Sequence, residues 1–150
     1  MFEHLDGTFE PVPEIGPMLA YYEFLPRNSP PNHIKAFPPG FKMLSGDSRR
    51  RNFTLPMPVP EKSLWAASDK TQSALAEKAL GFNCLHYGSP NEGAVKRHAL
   101  PDKGFIDANC YSGLRLELAF PSCWNGKDHD SPDHKSHVAY SSLVIDGDCP

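Results

Sequence analysis

No apolar run in this sequence is long enough to cross a membrane. The first residues, MFEHLD, have neither the basic start nor the apolar core of a signal peptide, so the chain reads as one without a leader of its own. Basic excess is missing as well. Fifteen Lys and Arg stand against eighteen Asp and Glu, for a net charge of −3, which offers no general attraction to nucleic acid or to an anionic membrane. The one basic run, Arg49-Arg50-Arg51, has a single aromatic neighbour in Phe53 and reads as a solvated turn. There is no C-x-x-C pair, no H-E-x-x-H, no G-x-S-x-G elbow and no glycine-rich phosphate loop. Zinc ribbons, thioredoxin-like redox sites, zincins, serine hydrolases and nucleotide-phosphate cradles are therefore not spelled out. Internal repeats and biased tracts are absent too.

What is present is proline: 16 among 150 residues, about twice average usage. Proline interrupts helix interiors and central strands alike, so loops and short strands are expected. Hydrophobic residues make up 39% and aromatics 11%, enough to bury one core, and a single domain is the expectation.

The local patterns agree with that frame. Phe2–Leu5 and Thr8–Val12 flank Asp6-Gly7, a pair suited to a type I′ hairpin turn. Met18–Leu25 is aromatic-rich, stops at Pro26 and reads as a mostly buried strand. Leu114, Leu116, Leu118 and Phe120 alternate with Arg115, Glu117 and Ala119, and a period of two puts the four large apolar side chains on one sheet face. Ser136–Ile145 is another expected strand, ending at Asp146-Gly147. One helix stands out near 70–80. Ser68 or Asp69 can cap it, Gln72 completes a capping-box spacing, Leu75, Ala76, Ala79 and Leu80 form its stripe, and Gly81 is placed as the C′ glycine. One helix among many short strands predicts a mainly β, loop-rich chain, most simply a sandwich of short antiparallel strands.

The four cysteines, Cys84, Cys110, Cys123 and Cys149, are even in number and spread through loop-like sequence, which fits two disulfides. Of three possible pairings, 84–110 with 123–149 needs the least topological assumption. The sequon at Asn52, NFT, fits glycosylation of a secreted chain.

Between Asp128 and His137 the chain packs three histidines and three aspartates into ten positions. His134 and His137 would share a face only on a helical turn; Pro132 favours a turn leading into the following strand. Asp128, Asp130 and Asp133 could add oxygen ligands or orient the imidazoles, yet no complete metal motif is present. The bland alternative is a polar loop whose aspartates and serines cap turns. Asp128, Asp130 and Glu117 are the candidate carboxylates for sugar hydrolysis, without evidence of the required separation. Trp65, Trp124, Tyr21, Tyr22 and Tyr140 could stack on sugar rings, although aromatics in strands are more often core.

Four segments, FEPVPE (9–14), AFPPGFKMLSGD (36–47), GLRLELAFPSCW (113–124) and DSPDHKSHVAY (130–140), resemble the secreted fungal family called domain of unknown function 1996. The resemblance runs over essentially the whole chain. It carries over Gly46, Asp47, Arg51, Asn52, Arg115, Cys123, Trp124, Gly126, Asp130, Ser131, His134, Ser136, His137 and Tyr140, but not His129. Members often carry a signal peptide and are sometimes joined to WSC carbohydrate-binding modules, which implies extracellular or cell-wall work on polysaccharide such as glucan. The family pattern also has a histidine-containing segment before this sequence and further sequence after its C-P pair. Residues 1–150 are therefore expected to be an internal part of a single, longer domain.

Two functions follow from the resemblance. One is a polysaccharide-active enzyme, metal-assisted in one form, with Asp130, His134 and His137 catalytic, His134 and His137 on a Cu or Zn ion, and Trp124, Tyr140 and Arg115 on the substrate. The other is a non-catalytic carbohydrate-binding or structural wall protein.

Overall fold

The computed structural model describes residues 1–15, 18–22 and 35–150. Its strands are short and antiparallel: β1 (Phe2–Glu3), β2 (Phe9–Glu10), β3 (Leu80–Cys84), β4 (Leu114–Leu118), β5 (Cys123–Trp124) and β6 (Val138–Ala139). They form three separate two-stranded sheets, β1–β2, β3–β4 and β5–β6. Two short α-helices, α1 (Gln72–Lys78) and α2 (Lys103–Asn109), and two 3₁₀ turns complete the regular structure among the described residues. The chain is mainly β and loop-rich, as its proline content implies.

The first hairpin forms, but with a different turn. His4 N–H donates to Thr8 O and Gly7 N–H to His4 O, and only Gly7 takes positive φ, at 81°. This is a three-residue loop ending in a glycine bulge rather than a two-residue type I′ turn. Asp6 explains the choice, because its carboxylate accepts from both the amide and the hydroxyl of Thr8 and so ties down the turn. The Met18–Leu25 strand does not form over its described part. Residues 18–22 carry no strand and are exposed, and 23–25 lie outside the described residues.

The expected helix starts and stops elsewhere. Thr71, in extended conformation, caps it by accepting from Ala74 N, while Asp69 instead accepts from Ala66 N in the preceding 3₁₀ turn. Leu80 and Gly81 belong to β3. A Cβ on Gly81 would lie 2.6 Å from Glu117 Oε2 and 3.1 Å from Val95 Cα, so this glycine permits close packing of two other segments rather than ending the helix. The second helix, α2, has no apolar stripe to announce it. Its signal is Asp102, whose side chain accepts from Phe105 N at 2.8 Å.

β3 and β4 pair from Leu80↔Leu118 to Cys84↔Leu114. Leu114, Leu116 and Leu118 share a face, but it is the side with Arg115 and Glu117 that packs inward; Leu116 is 71% exposed. The long Ser136–Ile145 strand is cut to β6. Beyond it, the Gln72 side-chain amide takes the place of a neighbouring strand: Nε2 donates to Tyr140 O at 2.9 Å and Oε1 accepts from Tyr140 N at 2.8 Å. A tight turn with Val144 at φ 73° follows.

The core is formed by Trp65, Leu75, Ala79, Tyr140 and Val144. Beside it, Lys78 is fully buried, with Nζ 2.9 Å from Asp69 Oδ1 and 4.1 Å from the Trp65 ring centre. Pairing and a cation–π contact make that burial tolerable. Cys84 is bonded to Cys110 and Cys123 to Cys149, with a sequence separation of 26 in each case.

Leu75 is 1% exposed, so Leu75→Ala should cost about 2–5 kcal/mol in denaturant unfolding. A loss below about 1 kcal/mol would show that this contact set does not anchor the fold. Reducing both disulfides should remove roughly 2–4 kcal/mol each, and a non-reducing peptide map should contain only the 84–110 and 123–149 links.

Candidate functional site

The 128–137 stretch folds as a compact polar turn pinned against residues 42–46. Asp133 organises it: its carboxylate accepts from Ser131 Oγ, Lys135 N, Ser136 N and Ser136 Oγ at 2.8, 3.0, 2.9 and 2.5 Å. Those donors, Ser136 first, hold the Asp133 carboxyl far below the usual carboxylate range. His134 takes φ 53° at the turn, and its Nδ1 lies 2.5 Å from Asp130 Oδ1. That contact is the main reason the Asp130 carboxyl is also held low.

His137 has a different fate. It is 2% exposed, with Nε2 donating to Lys42 O and Nδ1 against Ser131 Oγ, both at 2.8 Å. A carbonyl only accepts, so Nε2 must carry a proton, and Nδ1, the other nitrogen through which a histidine can ligate, is taken by Ser131 Oγ inside the same buried site. The residues therefore do not fit a Cu or Zn centre on His134 and His137. No group of three His, Cys, Asp or Glu among the described residues has metal-holding geometry. His137 is a staple: with Lys42 N–H to His129 O and Leu44 N–H to His134 O, it fastens the 42–44 backbone to the turn.

The three expected substrate contacts are not brought together. Trp124 packs edge-on against Phe41 and donates from Nε1 to Asp128 O at 2.7 Å. With Cys123, His137 and Cys149 it lines a small cavity of about 180 Å³. Tyr140 is a core residue, its hydroxyl 2.8 Å from Ser45 Oγ, and burial pushes its phenol up. Arg115 sits on the other sheet, donating from Nη2 to Glu92 O. Its Nε is ion-paired at 2.7 Å with Glu117 Oε1, yet lacks a well-directed hydrogen bond. Glu117 is likewise tied to Val95 N and Asn83, and Asp128 O and Oδ2 serve Trp124 and Asn125. Neither carboxylate faces Asp130 as a catalytic partner in these contacts. Asn52 is exposed in its loop, and the hydroxyl of Thr54 is held by Glu77.

A larger cleft, about 410 Å³, lies beside β6. Leu44, Ala76, Leu80, Pro121, Val138 and Ala139 form its apolar lining, and Asp47, Arg50, Gln72, Asp133, Lys135 and Ser136 its polar one, with Tyr140 between them. The polar groups are held in place. Lys135 Nζ donates to Gly46 O at 2.7 Å, and Arg50 Nη1 lies 3.1 Å from Glu77 Oε1. Arg50 is exposed beside the 48–49 turn, as the basic run suggested, but its guanidinium is also tied to a buried carboxylate. Burial would raise the Glu77 carboxyl, but Thr54 and Arg50 outweigh it and bring it below its ordinary value. Asp47 is held low mainly by the amide of Arg49. Asp47 and Lys135 had signals in the sequence, the first in the resemblance and the second in the histidine-rich stretch. Arg50 stood out only as part of a solvated basic run and Gln72 only as a helix-capping residue, because what places them is contact with residues far along the chain.

Asp133 has a folded value below that of an unfolded aspartate, so its stabilisation is present above about pH 4 and is lost as pH falls through the folded value. The acid limb of a thermal-stability profile should therefore be shallower in Asp133→Asn than in wild type. Superimposable profiles would mean that the carboxylate does not hold the turn.

No curated protein and no solved structure matches this chain. One family model does, over residues 1–150. With the whole length matched, the chain belongs to the family described as Domain of unknown function (DUF1996).

Proposed function

We propose that this protein binds a neutral polysaccharide, such as cell-wall glucan, in the 410 Å³ cleft beside β6, and that it does so without cleaving it. The observation that carries the reading is the cleft's charge balance. Two acidic residues, Asp47 and Asp133, and two basic ones, Arg50 and Lys135, line it together with apolar side chains. Fixed donors and acceptors of cancelling charge suit a ligand with hydroxyls on its rim and C–H groups on its faces. The volume lies in the range of small-molecule sites, roughly 300–1,000 Å³.

Hydrolysis is less well supported. A glycosidase needs one carboxylic acid held protonated near neutrality, whereas Asp47, Asp130 and Asp133 are all pulled the other way by their hydrogen bonds. In this proposal residues 1–150 are part of one β-sandwich domain of a secreted, glycosylated fungal protein, acting outside the cell or in the wall alongside WSC modules. Two disulfides favour an oxidising compartment. No helix among the described residues is long and apolar enough to cross a membrane.

The test is retention on insoluble β-glucan together with calorimetric titration of soluble glucan oligosaccharides. Lys135→Ala removes a charged donor at the rim and should weaken binding by about tenfold or more. Because the ligand is neutral, binding should survive about 0.5 M salt, where long-range charge attraction is screened, and no new reducing ends should appear. Unchanged affinity in Lys135→Ala, or release of sugar, would overturn the reading.

A further inference from the structure

We propose that the outer edge of β4 (Leu114–Leu118) pairs with the same edge of a second copy, making a two-fold dimer with a continuous four-stranded sheet. The direction of the backbone groups comes first. Leu85 N–H donates to Gly113 O and Ala119 N–H to Ala79 O, which fixes the odd-numbered residues of β4 as those bonded to β3. Phe82, opposite Leu116, agrees, since its N–H turns away from β4 to Arg97 O. The amides and carbonyls of Leu114, Leu116 and Leu118 therefore point outward, and among the described residues no strand pairs with them. β3 does not offer an equivalent edge, because Arg97 lies along it.

The sequence of the edge is self-complementary. LRLEL, run antiparallel against itself about Leu116, sets Leu116 against Leu116, Leu114 against Leu118 and Arg115 against Glu117. No like charges meet, and every leucine faces a leucine on the same sheet face, the favourable cross-strand pairs. One residue of slip would move the leucines to the face that carries Arg115 and Glu117, so the pattern specifies one register. Two of the leucine side chains are open, Leu116 at 71% and Leu118 at 41% exposed, and Leu114 is half-buried. A five-residue edge buries less than the roughly 1,200 Å² of a stable interface, so the dimer is expected to depend on concentration.

The sedimentation mass of the intact chain should rise from 16.6 kDa toward twice that value between roughly 5 and 500 μM, the range in which a weak interface saturates. Leu116→Lys should abolish the rise while leaving the melting temperature unchanged. The register has its own test, because the native cysteines are all in disulfides. Opposed residues in an antiparallel pair lie about 5.5 Å apart at Cα, within disulfide reach. Under mild oxidation Leu116→Cys should cross-link to itself. Leu114→Cys and Leu118→Cys should each stay monomeric alone and cross-link when mixed. A 16.6 kDa mass at every concentration, or equal self-linking by all three variants, would overturn the proposal. So would amide protection at Leu114, Leu116 and Leu118 that is already complete at the lowest concentration, since the same chain would then occupy the edge.

Discussion

A carboxylate closing on a backbone amide is the interaction on which most of this fold rests. Glu117 takes Val95 N, Glu92 takes Cys84 N, Glu77 takes Thr54 N, and Asp133 takes the amides of Lys135 and Ser136. In a protein with long strands those amides would be satisfied by a ladder. Here the described strands are only two to five residues long, and the loops between them must find partners or leave orphaned donors costing about 1–3 kcal/mol each. A charged acceptor is shorter and stronger than a carbonyl, so one side chain can do the fastening of a missing strand.

The same device shapes the cleft. Arg50 is held by Glu77, which also holds Thr54. Lys135 leaves the turn that Asp133 organises and reaches across to Gly46. The polar groups around the cleft are therefore fixed before any ligand arrives, which lowers the ordering cost of binding. The arrangement has a chemical consequence. Every hydrogen bond that fixes a carboxylate also favours its ionised form, so rigidity here works against a proton donor and in favour of recognition.

How much of this the sequence disclosed depends on the range of the interaction. The strand 114–118 was legible because its leucines alternate, and the disulfide pairing because nearest neighbours suffice. The helix was legible as a stripe at Leu75, Ala76 and Ala79, but not in its ends, since Asp69 is drawn away to Ala66 and Lys78 and Gly81 is needed where Glu117 and Val95 crowd β3. The strand expected through Tyr140 failed for a reason 68 residues distant, the Gln72 amide. Met18–Tyr22 has strand-forming residues and no strand to lie beside among those described, and propensity without packing does not hold a strand in place. At the site, the sequence offered Asp128, Asp130 and Asp133 alike to orient the imidazoles, and only Asp130 meets one, at His134. His137 turns instead to the Lys42 carbonyl, and a histidine three positions away looks the same in sequence whether it faces solvent or that carbonyl.

The two disulfides explain why so dispersed a set of contacts can hold. Cys84–Cys110 closes the excursion that carries Glu92, Val95 and Arg97, and Cys123–Cys149 closes the segment that carries the Asp133 turn, β6 and Tyr140. In both loops the crosslink limits the unfolded ensemble, so the contacts within the loop need only complete an ordering already begun. Glu92 to Cys84 N and Asp133 to its turn lie wholly within such a loop. Glu117 to Val95 N and Gln72 to Tyr140 run from a loop to the helix or sheet outside it. The first kind shapes each loop and the second seats it, and the cleft beside β6 is lined by residues of both, Gln72 as well as Lys135 and Ser136.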